Sequence, residues 1–222
     1  MAHATSKLTP FWTGVVVFEL ALCTAAVLLD LLLPAVLILI LAAVSLRARR
    51  QHFADLGFRR PQSWWRLVGI VLALTAAWTL VQIGFFFPIL EHVTGDRQDL
   101  ADFEDLKGNI AMLLALIAAS WILGALIEET AFRGFVQTRL TDLTGTGTTG
   151  LAAAVIFTSA LFALIHTEQG TIGVAATFLD AIFFSVLRLR FANLWAAVLA
   201  HGFNNTIGLI AFFLAGPIYG LW

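Results

Sequence analysis

The sequence has little charge. Of its 222 residues, 13 are Lys or Arg and 14 are Asp or Glu, together 12%, for a formal net charge of −1. Soluble domains carry about 25% charged residues, so a soluble globular enzyme is nearly excluded. A disordered chain needs low hydrophobicity and high charge, and is excluded as well. No basic stripe is present, which argues against a nucleic-acid partner. Cysteine occurs once, as Cys23 inside an apolar run. One thiol builds neither a disulfide framework nor a Cys-based zinc site.

What the chain has is apolar sequence. Hydrophobic residues make up 60% of it, and the mean hydropathy is +0.91. These values predict an integral membrane protein with about six or seven spans. The apolar runs lack the alternation of a membrane barrel, so the expected fold is an all-α polytopic transmembrane bundle. No internal repeat and no soluble domain is visible.

The first run extends from Phe11 to Leu46, broken only by Glu19, Asp30 and Pro34. It is too long for a signal-peptide core and lacks a convincing cleavage site. It reads as one helix kinked near Pro34 or as two short helices divided at Asp30–Pro34, with some preference for one span plus an interfacial extension. A basic connector follows, with Arg47, Arg49, Arg50, Arg59, Arg60 and Arg66 against one acid, Asp55. Short loops rich in Arg face the cytoplasm, and Trp64 and Trp65 suit the headgroup level. The second run is about Leu67 to Leu90. The segment from Glu91 to Lys107 has six acids and two bases and belongs on the outer side. Further runs start near Ile110, Leu151, Ile172 and Phe191. The expected division is residues 1–63 as N-terminal span or spans with a basic cytoplasmic connector, and residues 64–222 as the membrane core.

Ionisable groups within spans are costly and are functional hypotheses by default. Here they are Glu19, Asp30, Glu128, Glu129, Arg133, His166, Asp180 and His201. Glu129 and Arg133 stand at i and i+4, so they share a helix face and pair. Glu128 points about 100° away and stays available. His166 follows Phe162 by four residues. His201 and Asn205 are again i and i+4, and Gly202 between them allows close backbone approach. Each cluster has a bland reading: an Arg-neutralised patch, a packing histidine, hydrogen-bond glue between helices. Their depths argue otherwise. Glu128 and His166 each lie about 24 Å from the Gly-rich loop at residues 145–150, and Asn205 lies about 22 Å in from Arg190, at 1.5 Å per residue. Three polar groups at one level suggest one site. The geometry requires the helix that begins near Ile110 to run through the Glu pair to about Leu143. At roughly 50 Å it must tilt, kink near Gly134 or protrude.

A carboxylate with two imidazoles can bind a metal that activates water. Alternatively, Glu128 helped by a histidine acts as general base, with His201 and Asn205 donating to an oxyanion. Either gives peptide-bond hydrolysis at the membrane. No His-Glu-x-x-His helix, Gly-x-Ser-x-Gly elbow or Gly-x-Gly-Asp segment is present, so the common alternatives lack their residues.

The ordered set Glu128-Glu129-x-x-x-Arg133, Phe162-x-x-x-His166 and His201-x-x-x-Asn205 resembles the CPBP family, the CAAX-protease and bacteriocin-processing (Abi) group of intramembrane proteases. The resemblance covers about Trp121 to Gly208, and Leu56-Gly-Phe-Arg-Arg-Pro-x-x-Trp also resembles the family's connector. It implies a helical bundle around a polar cavity and an endopeptidase acting on CAAX-type prenylated or bacteriocin-like substrates. It further implies Glu128 as base, His166 positioning or activating water, Glu129 and Arg133 in support, and His201 with Asn205 at the oxyanion. Two schemes stay open. One needs no cofactor and is preferred as the simpler; the other uses a divalent metal such as zinc on Glu128, His166 and His201. The expected partners are a peptide or protein substrate and the lipid bilayer, and the expected location is a bacterial cytoplasmic membrane. The competing readings are a non-catalytic self-immunity or scaffold protein of the same fold, and a proton-coupled carrier using Glu19, Asp30 and Asp180.

Overall fold

The computed structural model describes residues 8–31 and 33–221, and among these it is helical with no strand. Seven apolar helices form the bundle. They are α1 (Pro10–Leu28), α2 (Pro34–Ala48), α3 (Trp64–Thr94), α4 (Ile110–Thr144), α5 (Thr148–Leu164), α6 (Gly170–Phe191) and α7 (Leu194–Ala215). Five segments are long and apolar enough to cross a membrane; α2 and α5 are shorter. The chain is an integral membrane helix bundle.

Local sequence explains where helices begin. Thr9, Ser63, Asn109 and Asn193 each cap a free backbone N–H of the following helix with a side-chain oxygen, and Pro10 and Pro34 stand in first turns where no N–H is needed. The run Phe11–Leu46 is two helices, not one span with an extension. Asp30 turns with a left-handed φ of 46°, and Pro34 cannot continue the preceding helix. The two helices fold back on each other.

α4 is unbroken across 35 residues, about 52 Å, as the depth argument requires. It is not a plain α-helix. Ser120–Glu128 and Thr130–Val136 are wound as wide π turns, a form concentrated at functional sites. Gly134 does not break it; Leu194 and Leu56 pack close against that glycine.

The ends of the bundle are pinned by different contacts. At the basic end, Leu194 N donates to Gly57 O (2.9 Å), Asn193 bonds Arg59 and Arg188 donates to Thr138 (2.7 Å). At the acidic end, Asp99 N donates to Gln169 O (2.9 Å) and Gly108 N to Phe213 O (3.1 Å). Between them, one buried cluster joins Val16, Leu20, Ile38 and Ala42 of the N-terminal pair to Phe132, Phe135 and Phe162. A second joins α3, α6 and α7 through Val71, Phe184 and Ala197. α4 lies between the two clusters and carries the site.

Candidate active site

Glu129 and Arg133 are fully buried and paired, Arg133 Nη1 to Glu129 Oε1 at 2.9 Å. The i, i+4 spacing places them on one face. The guanidinium also lies over the Phe162 ring, 4.1 Å from its centroid, and 5.6 Å from that of Phe184. Aromatic faces attract a desolvated cation, which offsets part of the cost of burying it.

The same Glu129 Oε1 accepts from His201 Nδ1 at 2.9 Å. The histidine of α7 thus meets the second glutamate of the pair, the one already neutralised by Arg133. Phe184 stacks on the imidazole (5.0 Å, 15° between planes) and Phe162 meets it edge-on. The ring is clamped by one carboxylate and two aromatics. With Nδ1–H given to Glu129, His201 turns Nε2 toward α4 at Gly124, beside Asn205 Nδ2. His201 and Asn205 therefore present polar nitrogens to the same spot.

Glu128 is half-buried and makes no ion pair or hydrogen bond among the described residues; its Oε2 is buried without a partner. Its titratable neighbours are His201, His166, Glu129 and Arg133. A buried carboxylate oxygen without a protein donor is a natural place for a water or substrate N–H. His166 sits just beyond the end of α5, where the chain turns. Its Nδ1 donates to Phe162 O at 3.0 Å, so that in the neutral ring Nε2 is the acceptor. α5 has 17 residues, about 25 Å, shorter than the hydrocarbon core of about 30 Å. Irregular backbone at such depth is tolerated where it lines a polar site.

All three motifs thus converge around α4. Among the described residues, no three His, Cys, Asp or Glu side chains are grouped so as to hold a metal ion. Glu128, His166 and His201 as placed are not grouped as a ligand set.

The remaining acids go elsewhere. Glu19 Oε2 is held by Arg49 (3.1 Å) and Arg139 (3.2 Å). Asp180 accepts from Trp78 Nε1 (2.6 Å) and Asn204 Nδ2 (3.2 Å). Asp30 is exposed at the α1–α2 turn. Glu19 and Asp30 are far from sharing an environment with Asp180, so the placement gives no support to a carrier path through the three.

Several residues at the site carried no sequence signal. Trp121 fills the groove at Gly202, where an added Cβ would lie 2.6 Å from its ring, and its Nε1 donates to Thr206 (3.0 Å). Gly124 packs under His201 and Asn205. Phe184 was one phenylalanine among 19. Only a fold that sets α4 against α6 and α7 singles these out.

A family model described as type II CAAX prenyl endopeptidase Rce1-like matches residues 110–207. The match runs from the first residue of α4 into α7 and contains all seven motif residues. Over this segment the chain is similar to the CAAX-protease (CPBP) family. No curated protein matches, and no solved structure matches. The CAAX-protease segment is thus α4 to α7, and α1 to α3 pack around it from outside the match. Similarity to an endopeptidase family over this segment and five membrane-length helices among the described residues point to the class of membrane-embedded peptidases.

Proposed function

We propose that this chain is an intramembrane endopeptidase of a bacterial cytoplasmic membrane. It hydrolyses a peptide bond of CAAX-type prenylated or bacteriocin-like substrates with water activated by Glu128 and His166. The observation that carries this reading is the asymmetry of the glutamate pair. Glu129 is consumed by Arg133 and His201, while Glu128 keeps a buried oxygen without a partner, within electrostatic reach of two imidazoles.

The chemistry follows from these positions. Glu128 takes a proton from water, oriented by a hydrogen bond to His166 Nε2, and the hydroxide adds to the scissile carbonyl. The carbonyl π pair moves onto oxygen. Asn205 Nδ2 and the Nε2–H of a protonated His201 donate to that oxyanion. The Glu129 carboxylate faces Nδ1 and orients the ring. Collapse re-forms the carbonyl and breaks the C–N bond, and Glu128 returns its proton to the leaving amine. Donors fixed in a dry site need no reorganisation as charge develops, and each is worth about 10²–10³ in rate.

The test is Glu128→Gln in purified protein with prenylated and apolar unprenylated peptides. Cleavage should be lost while the protein still folds and inserts. A variant that cleaves at the wild-type rate would overturn the assignment.

A further inference from the structure

Two glycines set the distance between α4 and α7, and they are not equivalent. Gly202 makes room for the Trp121 ring, which is a packing role. Gly124 makes room for nothing apolar. A Cβ built there would lie 3.3 Å from Asn205 Nδ2 and 3.4 Å from His201 Nε2. These are the two nitrogens that the proposed mechanism gives to the oxyanion. Gly14, Gly69 and Gly208 stand in open space, so a helical glycine in this chain has no general need for such contacts.

Resting on the endopeptidase reading above, we infer that Gly124 is a positioning residue of the oxyanion pair, its missing side chain leaving both donors open to the scissile carbonyl. A hydrogen-bonded acceptor sits about 2.9 Å from each nitrogen. A methyl group at 3.3–3.4 Å crowds that approach and accepts no hydrogen bond in return. Gly124 also precedes Glu128 by four residues, about one turn along the helix. The open space therefore lies beside the base that delivers the water. A glycine in a helix interior is destabilising against alanine, and access to the donors gives that cost a purpose.

The experiment uses the full chain in liposomes, with a fluorogenic farnesylated peptide and its unprenylated apolar counterpart. Gly124→Ala should lower kcat by about 100-fold with KM little changed. In an Asn205→Ala background, where one crowded donor is already gone, the same substitution should cost about tenfold or less, the mark of two coupled sites. Gly208→Ala should leave both constants unchanged. Wild-type kcat in Gly124→Ala overturns the inference, as does an equal fold-loss in both backgrounds. A Gly124→Ala protein that fails to fold overturns it too, since the glycine then serves helix packing. Glu128→Gln separates the two levels. If it is inactive while Gly124→Ala is fully active, only this inference falls. If Glu128→Gln cleaves normally, the endopeptidase reading beneath it falls.

Discussion

At the scale of single residues, the two adjacent glutamates should separate cleanly. Glu128 makes no ion pair, so Glu128→Gln removes little native interaction and should change stability by less than about 1 kcal/mol, while Arg133→Met strands a buried Glu129 carboxylate and should destabilise by about 3–5 kcal/mol. Thermal unfolding in detergent reads both. Equal shifts would show that Glu128 also carries structure. The Glu129–Arg133 pairing was legible because i, i+4 spacing on a helix is local geometry. The His201–Glu129 bond was not. Which glutamate a distant helix meets depends on the rotation of α7 about its own axis, and no spacing within α4 encodes that. The metal question belongs to this scale as well. With no three ligands grouped among the described residues, activity should survive a strong chelator, and purified protein should contain much less than one equivalent of zinc. Loss of activity on chelation, restored by zinc, would require a different arrangement of these side chains.

At the scale of elements, α4 and α7 form one functional unit. Trp121 of α4 enters the notch at Gly202 of α7, and its indole N–H is satisfied by Thr206 one turn on. A side chain at 202 must displace the ring. Gly202→Ala should cost about 1–3 kcal/mol, the usual penalty of overpacking. In a Trp121→Leu background the cost should shrink, because the colliding atoms are gone. Unfolding of the four proteins in one detergent closes the cycle; additive effects would refute the contact. Helix existence was legible throughout, since apolar runs of this length have one structural outcome in lipid. The π turns of α4 were not legible, because residue spacing does not tell a π turn from an α turn; these segments pack on α2 and α7. The break between α1 and α2 was half legible: Pro34 marked a helix start, but its composition suits a kink as well as a turn. Asp30 decided it by adopting a left-handed φ that ends α1 outright.

At the scale of the whole molecule, the family segment does not stand alone. A boundary near residue 63 follows the change in composition, but the packing crosses it. Val16, Leu20, Ile38 and Ala42 share a buried cluster with Phe132, Phe135 and Phe162, and Phe162 in turn touches both Arg133 and His201. An ion-pair network makes the same crossing. Glu19 of α1 receives Arg49 from the end of α2 and Arg139 from α4, and Arg139 also donates to Ser45. Burial and the neighbouring Arg139 push the Arg49 guanidinium below its ordinary pKa, and the Glu19 carboxylate opposes both. Glu19→Ala would leave the buried Arg139 and the half-buried Arg49 guanidinium groups facing each other, at a cost of about 3–5 kcal/mol. At about 2–4 °C per kcal/mol for a chain of this size, the melting temperature should fall by roughly 10 °C. Because α1 and α2 brace the aromatic wall behind Arg133, cleavage activity should be lost over the same temperature range as the fold. Glu19→Asp, which keeps the charge, should recover part of the loss. If Glu19→Ala melts like the wild type, the N-terminal pair is only an appendage and the boundary near residue 63 is physical. If it melts early and takes activity with it, the site needs all seven helices, including the three that lie outside the family match.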